Sequence, residues 1–353
     1  MRIAGIVAFW LATLAVLWLA RRSRGVIFWP LLALACLLAY NLVSTPQFYR
    51  LELREGSFFG IPMPQLYGVP MDILNHASKV GILAVGMTLV IAVGGIDLSV
   101  GAVMAIAGAM MATLSVQLGH SPGVCIAAAL AAGLAAGAWN GFLVAFMGIP
   151  PMVATLILMV AGRGIAQLIT DGQIVIFNNS VLTSIGNAFI LVPAPFLLML
   201  LLLALTWLAT RGTAVGFLIE AVGDNEIASR RAGVSARAIK FLVYVFCGFC
   251  AAAAGLVQTS NIRSADANNI GLGLELDAIM SVVIGGTAMI GGRFYLASSA
   301  VGALLIQTLT TTMYAKDVSP VVAPVPKALV ILAVCLLQSE RVRRRLAGWR
   351  NVA

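Results

Sequence analysis

The stretch ILNHASKVGILAVGMTLVIAVGGIDLSVGAVMAIAGAMMATLSVQ, residues 73–117, holds two apolar runs divided by a glycine-rich break. The runs, 73–93 and 98–117, each have the roughly 20 residues a helix needs to cross a hydrocarbon core about 30 Å thick. The break, GGIDLSVG at 94–101, opens on adjacent glycines, each costing roughly 1 kcal/mol against alanine inside a helix. Two spanning helices joined through an interruption is the reading this composition permits.

The rest of the chain repeats the pattern. Further apolar segments fall at about 3–20, 26–45, 123–143, 152–170, 191–209, 240–259, 274–290, 295–314 and 321–339, making eleven in all. Of the 353 residues, 61% are hydrophobic and 10% charged, and the mean hydropathy is +1.02. Soluble domains carry roughly 45–50% apolar and about 25% charged residues. An ordinary soluble enzyme, a disordered chain and a nucleic-acid binder with a basic soluble face are therefore excluded. The expected fold is all-α, a polytopic membrane protein of 10–11 transmembrane helices with lipid as its main surroundings. A second glycine-rich element, GGTAMIGG at 285–292, likewise closes one span and opens the next.

Basic residues set the orientation. Counting alternate loops, 14 Lys and Arg fall on one side and five on the other, with Lys79, Arg163 and Lys327 inside segments. Basic loops stay in the cytoplasm, so the C-terminus is expected inside and the connections 46–72 and 171–190 outside. Only Arg2 precedes the first apolar run, while Arg21, Arg22 and Arg24 follow it. That is the reverse of a signal peptide's charge order, and 1–22 is expected to be a retained additional span.

Several side chains carry candidate roles. Gly133, Gly137 and Gly141 repeat every four residues, a stripe that lets another backbone approach closely, within the protomer or across a dimer. Asp97 and Ser99 are candidates both for capping the following helix and for a polar element beside a translocation path; Gly94, Gly95, Gly285, Gly286 and Thr287 share the second reading. Broken backbone at membrane depth is tolerated where protein or water surrounds it. Arg163 is expected to pair with a carboxylate such as Asp171 or to contact a polyhydroxylated solute. Lys79 and Lys327 are expected to snorkel to the interface, and Glu275 and Asp277 to complement a helix N-terminus, with ligand binding as their alternative role.

Some chemistries have no residues to perform them. None of the four lysines follows a glycine, so a Walker-type phosphate loop is absent. His76 and His120 lack metal-binding neighbours. Cys247 and Cys250 sit in an apolar helix and read as core residues. The loop at about 210–239 is different: EAVGDNEIASRRAG, 220–233, reads as a short surface helix capped by Asp224 or Asn225 and stopped by Gly233. It is either a solvated loop helix or a docking element for a cytoplasmic partner.

GGIDLSVG, EAVGDNEIASRRAG and VVIGGTAMIGGRF (282–294) resemble the ribose-type permeases of bacterial ABC importers, a family that includes branched-chain amino acid permeases. The likeness spans about 70–340, within a permease domain at 23–353 that follows the additional span. MVATLILMVAGRGIAQLIT (152–170) and IRSADANNIGLGLELDAI (262–279) resemble the corresponding stretches of galactofuranose permeases. The chain departs from the family in its additional first span and in having no basic residue at 144–150. The resemblance implies an inner-membrane permease that is not itself an ATPase and binds no cofactor. Its partners would be an ABC ATPase using ATP and Mg, a second like or unlike permease, and a periplasmic sugar-binding protein. It further implies that Glu220, Gly223, Asp224, Asn225, Ala228, Arg230, Arg231 and Gly233 belong to the ATPase-coupling loop. The competing class, an ion-coupled secondary sugar transporter, would have to rely on Asp97 and Arg163.

Overall fold

A computed structural model of the chain describes residues 25–58, 61–190, 192–319 and 321–338. The expected first span, the arginines at 21–24 and those from Arg341 onward lie outside the described residues. The helices are α1 (Phe28–Ser44), α2 (Val69–Ala92), α3 (Val100–Val116), α4 (Pro122–Ala145), α5 (Pro151–Ile169), α6 (Ser180–Asn187), α7 (Ala194–Gly212), α8 (Ala214–Asp224), α9 (Glu226–Arg231), α10 (Ala236–Ile262), α11 (Leu274–Ile284), α12 (Leu296–Tyr314) and α13 (Pro324–Gln338). Ten of them match the second to eleventh expected segments. Six, namely α2, α4, α5, α7, α10 and α12, are long and apolar enough to cross a membrane. The protein is an all-α, multi-pass membrane protein.

Local sequence sets the helix starts. Proline occupies the first turn of α2, α4, α5 and α7, where its missing N–H has no intrahelical partner to lose. Helix α11 ends at Ile284 after 11 residues, about 16 Å at 1.5 Å per residue, so the expected segment 274–290 is a half-length helix stopped by Gly285 and Gly286.

The bundle is built around α2, which is 83% buried over its apolar window and packs against α7, α10, α11 and α12. By contrast α4, α5 and α7 are 28% buried and expose Trp139, Val160, Leu168 and Trp207, the apolar surface a lipid-facing helix presents. The glycine stripe of α4 faces α10 within the protomer. A β-carbon on Gly133 would lie 2.6 Å from the Gly248 carbonyl oxygen, and one on Gly141 would lie 2.9 Å from that of Phe241. Cys247 and Cys250 are buried free thiols on α10.

Short strands occupy the connections. Strands β1 (Glu52–Phe58) and β2 (Ile61–Tyr67) form an antiparallel hairpin in the 46–72 connection, and Tyr67 stacks on Phe189 with ring centroids 5.4 Å apart. β3 (Val175–Ile176) pairs antiparallel with β6 (Ser264–Ala265), tying the connection before α6 to the one after α10. A third pair, β4 (Phe189–Ile190) and β5 (Val192–Pro193), leads into α7.

Candidate functional site

The first interruption begins where α2 runs out of helix formers. Gly94 takes φ +77°, and the N–H groups of Gly94 and Gly95 bond back to the carbonyls of Ile91 and Val90 at 2.9 Å. The chain then enters a turn held by Asp97, whose carboxylate accepts from the Ser99 N–H at 2.9 Å and the Ser99 hydroxyl at 2.6 Å. Asn140 of α4 donates its amide N–H to the Ser99 hydroxyl at 2.8 Å. Asp97, Ser99 and Asn140 are all buried. Asp97 therefore closes the turn ahead of α3 but does not cap the helix as expected, since α3 begins after Ser99 with no side-chain cap hydrogen bond. Gly95 is pressed against the buried phenol of Tyr244.

The second interruption is a turn between α11 and α12. Thr287 accepts the Tyr295 N–H at 3.2 Å and so closes the loop across its base. A β-carbon on Gly285 would lie 2.7 Å from the Ser299 backbone nitrogen, so α12 starts directly against it. Gly286, Gly291 and Gly292 all have positive φ, while Met289 and Ile290 are exposed at the tip.

These two interruptions touch. Gly292 donates its backbone N–H to the Ala92 carbonyl at 2.9 Å. At Gly291, φ +99°, a β-carbon would fall 2.9 Å from the Gly223 carbonyl oxygen and 3.0 Å from the Gly94 nitrogen. Gly223 itself, near the end of α8, has no room for a side chain: a β-carbon would collide with the Ala92 carbonyl and sit 2.6 Å from the Gly292 nitrogen. The ends of α2 and α8 and the turn before α12 thus meet backbone to backbone, where only glycine allows such approach.

The expected short helix, capped at Asn225 and stopped by Gly233, is α9, and the segment 220–233 also takes in the end of α8. Asn225 is extended, at φ −153° and ψ 98°. Its N–H closes α8 on the Ala221 carbonyl, and its side chain accepts the Ala228 N–H at 2.9 Å to start α9. Of the two candidate caps, Asn225 performs the role. Glu220, Gly223 and Asp224 end α8, and Gly233 follows α9 at φ +86°. The Ser229 hydroxyl donates to the Ala221 carbonyl at 2.8 Å and locks the corner. Glu226 bridges Arg230 and Lys240, both at 2.5 Å, and the hydrogen bond from Lys240 is the main reason its carboxyl lies below the usual range. Arg211 approaches Glu220 at 3.8 Å and stands 5.5 Å over the ring of Phe294, beside the second interruption. Ile227 and Phe217 are exposed at 67% and 72%, and Ala228, Arg230 and Arg231 are exposed with them. Apart from the Arg230–Glu226 pair, these side chains form an apolar and basic face left exposed among the described residues.

Other expected contacts fall elsewhere. Arg163 donates to the backbone carbonyls of Ala267 at 3.0 Å and Ile270 at 2.6 Å, rather than to Asp171; a folded loop supplied acceptors that sequence spacing does not reveal. Lys79 does not snorkel, because it lies on the helix at the centre of the bundle. It is 7% exposed and contacts His76 Nδ1 at 3.0 Å. Lys327 pairs with Asp277 at 3.1 Å, so Asp277 does more than face a helix end. Among the described residues no three His, Cys, Asp or Glu side chains gather to hold a metal ion.

Residues 69–337 match the family described as branched-chain amino acid transport system / permease component. The chain is 50% identical over 329 residues to the galactofuranose transporter permease protein of Escherichia coli (strain K12), covering 92% of this chain and 94% of that protein. It is 43% identical to the fructose import permease protein of Bifidobacterium longum (strain NCC 2705), over 81% of this chain and 82% of that one. With the ribose import permease protein of Haemophilus influenzae the identity is 37%, over 87% and 99% respectively. No solved structure matches the chain.

Proposed function

The chain belongs to the permease components of the branched-chain amino acid transport system family, and from that membership we propose that it is the membrane subunit of an ATP-driven bacterial importer for a monosaccharide. Galactofuranose or a similar sugar is the favoured substrate, since sugar permeases match 81–92% of the chain and the galactofuranose permease is 50% identical to it. The partners of this reading are an ABC ATPase that uses ATP and Mg, a second copy or a related permease, and a periplasmic sugar-binding protein. The C-terminus and the α8–α9 corner face the cytoplasm of the inner membrane, and 46–72 and 171–190 face outward.

The observation that carries the mechanism is the packing of Gly223 against Ala92 and Gly292. The exposed face of α8 and α9 docks on the ATPase. Movement of that corner on nucleotide binding is passed at backbone contact to both interruptions, with no flexible side chain between to absorb it. Gly94, Gly95, Asp97 and Ser99 on one side, and Gly285, Gly286 and Thr287 on the other, are the moving parts of the gate. Packed backbone of this kind switches between discrete arrangements rather than deforming smoothly.

The test is uptake of radiolabelled sugar by cells carrying the chain with its ATPase and binding protein. Uptake abolished by ATP depletion and retained in the presence of an uncoupler supports this reading. Uptake that survives ATP depletion and is abolished by the uncoupler assigns the chain to ion-coupled transport instead.

A further inference from the structure

A cavity of about 1040 Å³ lies at the opposite end of the bundle from the α8–α9 corner, among α2, α10, α11, α12 and α13. Its size exceeds the roughly 300–1,000 Å³ of common small-molecule sites; its wall is mostly apolar, with Leu272, Leu276 and Tyr314 exposed, and polar side chains are set into it. Lys79 reaches it from the central helix. Among the described residues the ammonium has one hydrogen-bond partner, His76 Nδ1, so a buried group with three donors has two to spare. Asn75 and Asn261 also line the cavity, their side chains joined at 3.2 Å. Gln307 and Thr311 of α12 complete the lining, joined to each other only weakly at 3.4 Å.

The formal charges in the wall select against an ion. Asp277 and Lys327 neutralise each other at 3.1 Å. An anion attracted by Lys79 would face Asp72 on the same helix, and a cation attracted by Asp72 would face Lys79. What the wall offers unopposed is a mixture of donors and acceptors on amides, hydroxyls and an amine. A neutral solute with several hydroxyls, each donor and acceptor, satisfies that mixture; an apolar solute leaves it unpaired at a cost.

We propose that this chamber is a binding station for a neutral monosaccharide within the permease, with Lys79 donating to sugar hydroxyls beside Gln307 and Thr311. The inference rests on the sugar-importer reading above and adds to it a residence point inside one protomer. It is tested on the full-length permease with its ATPase, the binding protein being left out so that its docking cannot shield the chamber. Thr311→Cys is placed in a background without the native cysteines and labelled by a small water-soluble methanethiosulfonate. Gln307→Cys serves as a second reporter should the first fail to reach the membrane. D-galactose, D-fructose and D-ribose are each added as the protecting probe, and glycine betaine as a solute without hydroxyls.

The chamber predicts labelling that slows with sugar concentration, about tenfold at some ten times Kd, with no slowing by betaine. It further predicts that adding Lys79→Met removes the protection while the unprotected labelling rate is kept. Uptake of one of these sugars by the complete importer, together with labelling that the same sugar does not slow at either reporter, overturns the chamber and leaves the importer reading intact. A complete importer that takes up none of the three, with no protection by any of them, removes both.

Discussion

Gly292 donates its backbone N–H to the carbonyl oxygen of Ala92 at 2.9 Å. The bond joins two glycine-rich interruptions about two hundred residues apart in the chain, and Gly223 packs on it from a third segment. Neither interruption is an independent loop. On the proposed mechanism, a displacement at the end of α8 would act on the end of α2 and on the approach to α12 together.

The α8–α9 corner depends on one cap. Replacing Asn225 by alanine removes the acceptor for the Ala228 N–H, a loss of about 1 kcal/mol of helix stability, and is expected to weaken co-purification of the ATPase. Asn225→Asp keeps the acceptor and is expected to retain it. Ala228→Pro deletes the capped N–H itself, so its cost resembles that of a lost cap rather than the roughly 3 kcal/mol of a proline in a helix interior. Undiminished co-purification of Asn225→Ala contradicts the docking role.

Glu226 links that corner to α10, and its carboxyl is held below the usual range mainly by Lys240. A carboxyl depressed in the native state stabilises the fold above its ordinary value, and the contribution is lost as pH falls through the native one. Thermal unfolding of the purified protein is therefore expected to show wild type above Glu226→Gln at pH 7. The gap should close on acidification below the ordinary glutamate pKa of about 4.3. A gap that widens with acid contradicts the pairing.

Asp97 holds the first interruption from inside. Asp97→Ala leaves the Ser99 N–H without its acceptor in a buried site, at roughly 1–3 kcal/mol for an unsatisfied group. The expected outcome is a lower melting temperature and less protein in the membrane, with Asp97→Asn milder because one acceptor remains. Wild-type stability of Asp97→Ala, measured by thermal unfolding in detergent, contradicts this assignment.

Much of this was legible in the residues. Apolar run length located ten helices, and the four-residue spacing of Gly133, Gly137 and Gly141 announced a close helix contact. What sequence could not decide was the identity of the neighbours. A helix that is apolar all round looks alike whether protein or lipid surrounds it, so the central position of α2, and with it the burial of Lys79, was hidden. The hairpin β1–β2 was masked by Pro62 and Pro64, residues that argue against a strand except at an edge. Asn225 as a corner between two helices was readable from its capping preference, but its extended backbone was not. The meeting of Gly223, Gly291 and Ala92 is purely tertiary and left no local signal.

Orientation has its own check. Gln173 and Ala232 are both exposed, one in the connection expected outside and one beside the α8–α9 corner. Single cysteines at these positions, in a protein without native cysteines, are expected to differ in intact cells: an impermeant maleimide labels Gln173→Cys and spares Ala232→Cys. The reverse pattern contradicts the assignment of the α8–α9 corner to the cytoplasm.

The backbone junction is tested most directly by one added carbon. Gly223→Ala places a β-carbon against the Ala92 carbonyl, an overpacking of about 1–3 kcal/mol that pushes α8 away from both interruptions without altering its exposed face. The measurement is sugar imported per ATP hydrolysed, in proteoliposomes holding the complete importer. The account predicts that the ATPase stays bound and hydrolysing while sugar delivered per ATP falls severalfold. A wild-type ratio in Gly223→Ala would contradict it, since motion would then reach the gate by another route.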